Sequence, residues 1–186
     1  TLGVILHRHH RVDDAIHFMK KLAALNPNCV MAHTNLSVFY MSQGKIQEAE
    51  DEKALANQLE FKQQLDARQA EKAAKAALDL LETPFGIATS TEESGSQWDW
   101  PYGWPPLQYF ALEGLKRCGL TDDARRVARK YLDLATRVFK DRGALFEKYN
   151  VAEGSADIRV VHGYHENVSE SGTFLWTAAT LKLAMD

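Results

Sequence analysis

Trp98, Trp100 and Trp104, three of the chain's four tryptophans, fall within seven residues of one another beside Asp99, and Pro101, Pro105 and Pro106 are interleaved with them or follow them. Ordinary helices and strands do not use such a composition. Proline fixes φ and breaks helix, glycine at Gly95 and Gly103 frees the backbone, and clustered indoles present flat apolar faces next to polar tips. The stretch from Gly86 to Gln108 therefore reads as a rigid loop of the kind on which sugar rings and other flat ligands stack. A loop that merely caps a helical core would have the same composition. Two segments further along the chain carry the candidate acids, Glu147 between Phe146 and Tyr149, and Glu166 after Gly163.

The order and gaps of the first stretch carry a resemblance. Gly86-Ile87-Ala88-Thr89-Ser90, then Ser94-Gly95, Gln97-Trp98-Asp99, Pro101, Gly103-Trp104, Pro106 and Gln108, resemble the second signature of the family 37 trehalases, inverting glycosidases that split α,α-trehalose into two glucoses. The resemblance covers roughly residues 74–186. It implies an (α/α)6 toroid, of which only part fits in this length, and a sugar surface that includes Gln97, Trp98 and Trp104, with Asp99 as a structural or orienting carboxylate. Phe146-Glu147-Lys148-Tyr149-Asn150-Val151 resembles the family's Glu-Lys-Tyr-Asp-Val motif with Asn150 in place of Asp, and by that match Glu147 stands where the family keeps its catalytic base. An inverting hydrolase needs one carboxylate to activate water and a second acid, roughly 6.5–9.5 Å away, to protonate the leaving oxygen. Without the motif, Glu147 and Lys148 would read as an ordinary surface pair.

Gly163-Tyr164-His165-Glu166, followed by Gly172, Phe174, Trp176 and Thr177, resembles the family's glycine run with its glutamate and the Gly-Phe-Gly-Trp-Thr that follows. Here one glycine precedes Glu166, and Trp176 comes one residue late. The match makes Glu166 the acceptor of a sugar hydroxyl, with Glu170 as the alternative. Side chains at Val161, His162, Tyr164 and His165 obstruct the close approach a glycine-rich loop allows. The family's general acid lies in a Gly-Trp-Asp-Phe-Ser-Ser-Arg-Trp-like segment, and none occurs before residue 86.

The elements that must position these residues are helical. Residues 1–73 compared with themselves at an offset of 34 align Val12 with Ile46 and Ala15 with Ala49, the period of tetratricopeptide helix pairs. By that alignment the first unit lacks its opening residues, so the chain is expected to start inside a repeat. From Lys45 to Glu82 there is neither proline nor glycine, and mixed charge surrounds the segment, which predicts a long solvated connecting helix. A change to alanine- and leucine-rich sequence sets the boundary near residue 73. Beyond the aromatic loop, Pro105 and Pro106 start a helix whose buried face is expected at Leu107, Phe110, Leu112 and Leu115 and which Gly119 ends. Thr121 is expected to cap a second helix whose apolar face runs Ala124, Val127, Tyr131, Leu134, Ala135 and Val138 to Gly143. Phe174 to Met185 forms a third. The fold class is all-α: tetratricopeptide-like hairpins over 1–73, then part of an (α/α)6 toroid over 74–186.

Composition bounds the partners. A hydrophobic fraction of 45% and charged fraction of 25% are those of an ordinary globular protein. A net charge of −3 offers nothing to nucleic acid or an anionic membrane. A small sugar, trehalose or glucose, and a protein partner through the repeats fit better. Cys29 and Cys118 lack metal spacing and are expected as free thiols in a reducing compartment, the cytoplasm. His7, His9, His10 and His17 tempt a metal reading, but neighbours on a helix point about 100° apart and three of the four fall at a turn. Neither metal nor cofactor is implied.

Two functions compete. In one, the chain is the C-terminal part of a trehalase-like hydrolase, expected to be inactive alone because a missing acid partner forfeits about 10²–10⁴-fold. In the other, it is a non-catalytic helical-repeat interaction module that carries a degenerate sugar-binding remnant.

Overall fold

The computed structural model describes residues 2–157 and 175–185; Glu166 and Glu170 lie outside them. The chain is all-α, with four two-residue strands among the described residues, and divides into two compact units, Thr1–Arg68 and Gln69–Asp186. No helix among the described residues is long and apolar enough to cross a membrane.

The first unit holds α1 (Leu2–Arg8), α2 (Val12–Leu25), α3 (Val30–Ser42) and the start of α4 (Ile46–Leu81). Small residues allow close approach: Ala15 and Ala49 are buried, and a side chain at Gly3 would run into Met19. Ile16, Met19, Leu36, Phe39 and Tyr40 fill the space between the helices. The helix ends use local chemistry. Pro27 follows α2, and Gly44 takes a left-handed φ of 73° in the turn before α4, a conformation open to glycine at no steric cost. Two of the described histidines have protein partners. The His7 ring stacks on Phe39 and lies 3.3 Å from Ser42 Oγ, and buried His33 ties α3 to α4 through Glu52 at 2.6 Å. From Glu60 to Lys72, α4 is clothed in charge, and even Phe61 is 69% exposed, as a solvated helix requires.

In the second unit, α4 ends at Leu81 and leads into β1 (Glu82–Thr83), which pairs antiparallel with β2 (Gly86–Ile87). β3 (Tyr102–Gly103), α5 (Pro105–Arg117), α6 (Thr121–Arg142), β4 (Tyr149–Asn150) and α7 (Leu175–Met185) follow. α6 organises the core. Its spacing puts Ala124, Val127 and Ala128 against Leu78, Leu112 and Leu115, and Tyr131, Leu134, Ala135 and Val138 against Phe146, Tyr149 and Val151. Each fully buried leucine of this kind contributes about 1.5–3 kcal/mol. Gly143 closes α6 at φ 71°. α7 is pinned by two buried threonines, Thr177 Oγ1 donating to Phe146 O and Thr180 Oγ1 to Pro105 O.

Two expectations change. Leu120, not Thr121, occupies the cap position of α6, with no side-chain cap bond; its side chain is buried in the core, and the chain enters the helix around that anchor. Phe110 is 65% exposed instead of buried. The inner face of α5 runs Pro105, Gln108, Leu112, Leu115, a helical spacing that leaves Phe110 on the opposite side.

Candidate functional site

The aromatic loop is framed by polar groups that are themselves buried. The Gln108 side chain, fully buried, behaves like a strand edge: its Oε1 accepts from Ile87 N at 2.9 Å and its Nε2 donates to Ile87 O at 2.6 Å. Buried amides are kept only where both donor and acceptor are answered. Thr83 Oγ1 lies 2.8 Å from Gly86 O and 2.7 Å from Val151 O, sharing its proton between β2 and the end of β4. Thr89 N donates to Tyr102 O and Val151 N to Pro101 O. Gly103 is where the frame closes tightest. A Cβ there would sit 2.7 Å from Ile87 O and 2.9 Å from Gln108 Nε2, so only glycine fits.

Within this frame the predicted sugar-binding residues divide by depth. Trp104 is buried at 2% exposure and Trp98 is 46% exposed. Their rings stack in parallel, 3.7 Å between centroids and 3° between planes. The face offered to a ligand is therefore Trp98's, with Trp104 beneath it. Trp104 Nε1 donates to Gln97 O at 2.8 Å, so Gln97 holds the stack through its backbone. Asp99 faces into the loop: Ser90 Oγ donates to its Oδ1 at 3.1 Å and Ser94 Oγ to its Oδ2, while its backbone N–H closes a turn onto Ser96 O.

β3 and β4 bring the candidate base to this loop. Gly103 pairs with Tyr149 and Tyr102 with Asn150, which sets the residues just before β4 beside those just after β3. Tyr149 is buried beneath Phe146, whose backbone N–H donates to Tyr149 Oη at 3.1 Å. Burial raises the Tyr149 phenol above its ordinary value and that bond opposes the rise. Asn150 accepts from the backbone N–H groups of Ala152 and Glu153 and donates to the Glu153 carboxylate at 3.1 Å. An aspartate there would meet Glu153 as a like charge, so asparagine suits this turn.

Glu147 keeps its carboxylate partly open, with 22% of the side chain exposed. The Lys148 side chain is fully buried. Its Nζ lies 3.5 Å from Glu147 Oε2 and 4.9 Å from the centre of the Trp104 ring. Burial lowers the Lys148 ammonium below the usual lysine range, and the Glu147 charge opposes that. Lys148 was not a candidate from sequence; its position beside Glu147 suggested a surface pair, and only the buried register of β4 reveals otherwise. Thr83 gave no chemical signal, and Gln108 stood out only as a position of the motif. The arrangement presents an indole face and a carboxylate with one oxygen held, and no group of three or more metal-ligating side chains occurs among the described residues.

A family model described as Trehalase matches residues 29–185, a span that includes α3 and α4 as well as the second unit. Among solved structures, neutral trehalase Nth1 from Saccharomyces cerevisiae is similar at 34% sequence identity and a TM-score of 0.49, over 64% of this chain and 20% of that one. The chain thus spans about one-fifth of the length of that protein.

Proposed function

The chain belongs to the trehalase family, and from that membership we propose that it carries the general-base side of an inverting glycosidase site for α,α-trehalose. The observation that carries the proposal is the junction of the two motifs: Lys148, adjacent to Glu147, lies over the Trp104 ring on which Trp98 stacks. Glu147 then takes a proton from the attacking water, Trp98 holds a glucose ring by its face, and Asp99, tied to Ser90 and Ser94, keeps the loop in shape. Glu166 is proposed to accept a sugar hydroxyl. The second unit is proposed as part of the (α/α)6 toroid, with the domain boundary near residue 73.

A base without an acid does not complete hydrolysis, since the leaving oxygen must be protonated. The 186 residues contain no segment of the general-acid type, so the proposal is that they bind sugar and do not turn it over by themselves. Calorimetry with trehalose and glucose tests this on the wild-type chain, Trp98→Ala and Glu147→Gln. Expected are weak saturable binding, a loss of about 2–10-fold in Trp98→Ala from the aromatic contact, and no hydrolysis above background. Absence of any saturable sugar binding would overturn the site. Turnover abolished in Glu147→Gln would overturn the claim that the acid is missing.

The alternative assigns the first unit to protein binding. α2 starts at Val12 and α4 at Ile46, 34 residues apart as in tetratricopeptide pairs, and Met31, Val38 and Met41 stand exposed along α3. The family match already covers α3 and α4, which narrows the independent support for repeats to α1 and α2.

A further inference from the structure

Lys148 poses a problem of cost. An ammonium is among the groups least often found fully buried, because leaving water costs several kcal/mol unless opposite charge and hydrogen bonds offset it. A methionine of similar shape would fill the same space against Trp104 without that penalty. Yet the side chain has no exposed surface, and its polar partner among the described residues is one oxygen of Glu147, at 3.5 Å. The aromatic face of Trp104, 4.9 Å away, supplies the other favourable contact, an attraction that strengthens when the pair is desolvated. The ammonium is therefore held from two sides by the two parts of the proposed site.

The carboxylate is organised in turn. Glu147 Oε2 faces Lys148, and Oε1 has no protein partner among the described residues. A glutamate on a free side chain samples several rotamers, and each misplaced one removes the reacting oxygen from its water. Lys148 is immobile because it is packed inside the fold, so it fixes the orientation of a partner that is not. The Trp98 face and the carboxylate are then referred to a single buried point.

We propose that Lys148 is a positioning residue for the base: its buried ammonium pins Glu147 Oε2, leaves Oε1 to act on water, and locks the carboxylate to the Trp98–Trp104 stack. The inference rests on the reading of Glu147 as the base. It differs from a packing role in one respect, that the ammonium and the carboxylate are electrostatically coupled, and Glu147 is the charged group acting on Lys148.

The test follows the Lys148 ¹⁵Nζ resonance through a pH titration of the whole chain, assigned by its loss in Lys148→Met, beside trehalose calorimetry on the same samples. Expected is a Lys148 transition below that of ordinary lysines, moved to still lower pH in Glu147→Gln because the charge that holds the proton is gone. Expected too is a change in the indole Nε1 resonance of Trp104 across the same transition. A Lys148 transition at the same pH in wild type and Glu147→Gln, with sugar binding intact, overturns the positioning role and leaves the proposed function standing. A shifted transition in a chain that binds no sugar supports the coupled pair and refutes the proposed function, and with it any part for Lys148 in hydrolysis. Should Lys148→Met fail to fold, Glu147→Gln alone carries the comparison, with the resonance assigned by its through-space contact to Trp104.

Discussion

Acid should loosen the second unit through one residue, Glu82. Its carboxylate is 14% exposed and receives Arg126 Nε at 2.9 Å, Arg126 Nη2 at 2.8 Å and Lys130 Nζ at 2.7 Å. The bonds from Arg126, helped by Lys130 and opposed by burial, hold its pKa at about 2 instead of 4.5. The sign follows from linkage: the folded value lies below the unfolded one, so the stabilisation is fully present above about pH 4.5 and is lost as pH falls toward about 2. At about 1.4 kcal/mol per pKa unit the ceiling is about 3 kcal/mol. Arg126 is half exposed and solvent screens its side of the pair, so the expected contribution is about 1–2 kcal/mol. All four tryptophans lie in the unit Gln69–Asp186, so urea unfolding followed by tryptophan fluorescence reports on this unit. At pH 7, Glu82→Gln should be less stable than wild type by about 1–2 kcal/mol, and the gap should close as pH approaches 2.5. Parallel stability curves for the two proteins from pH 7 to 2.5 would refute the reasoning.

Three further outcomes follow from the packing. Gly103→Ala should cost about 1–3 kcal/mol in the same unfolding assay, because its Cβ would press on the backbone oxygen of Ile87, which cannot yield as a side-chain tip can. Tyr131→Phe should be neutral or stabilising, since its hydroxyl is buried with no hydrogen-bond partner among the described residues and removing an unanswered polar group relieves its desolvation cost; a loss above about 1 kcal/mol would reveal a partner. Phe110→Ser should leave stability within about 0.5 kcal/mol in the same unfolding assay, because the ring is exposed on the outer face of α5.

What the sequence made legible was what repeats with a helical period. The inner face of α6 could be read residue by residue, because Ala124, Val127, Tyr131, Leu134, Ala135 and Val138 recur at helical spacing among mostly charged positions. Glycines at the ends of α5 and α6 announced themselves for the same local reason. α5 misled because both of its sides carry large apolar residues, and the burial of Gln108 settles which one faces in. No hydrophobicity pattern predicts a buried glutamine, since its place is earned by two backbone groups of Ile87, distant in sequence. The two-residue strands escaped notice because pairs of that length show no alternation. For the proposed site, motif resemblance singled out Trp98, Asp99 and Glu147, whereas their depth depends on the pairing of Gly103 with Tyr149 across the whole of α5 and α6.

Depth changes what the aromatic loop is for. Two exposed tryptophans would make a pair of platforms, each able to hold a ring; a stacked pair with one member buried makes a single platform of fixed height. Trp104 is held by Gln97 O at its polar edge and by Trp98 on its face, with the Lys148 ammonium also over the ring, so it has little freedom to tilt. Trp98 inherits that rigidity through a contact of 3.7 Å. Rigidity matters here because binding through stacking is weak, about 0.5–1.5 kcal/mol beyond area burial, and little of it can be spent on ordering the protein. Under the proposed sugar-binding role, a loop ordered in advance keeps that energy for orientation. The serines at 90 and 94 bond both oxygens of Asp99 and hold its carboxylate within the loop, which fits the proposed orienting role.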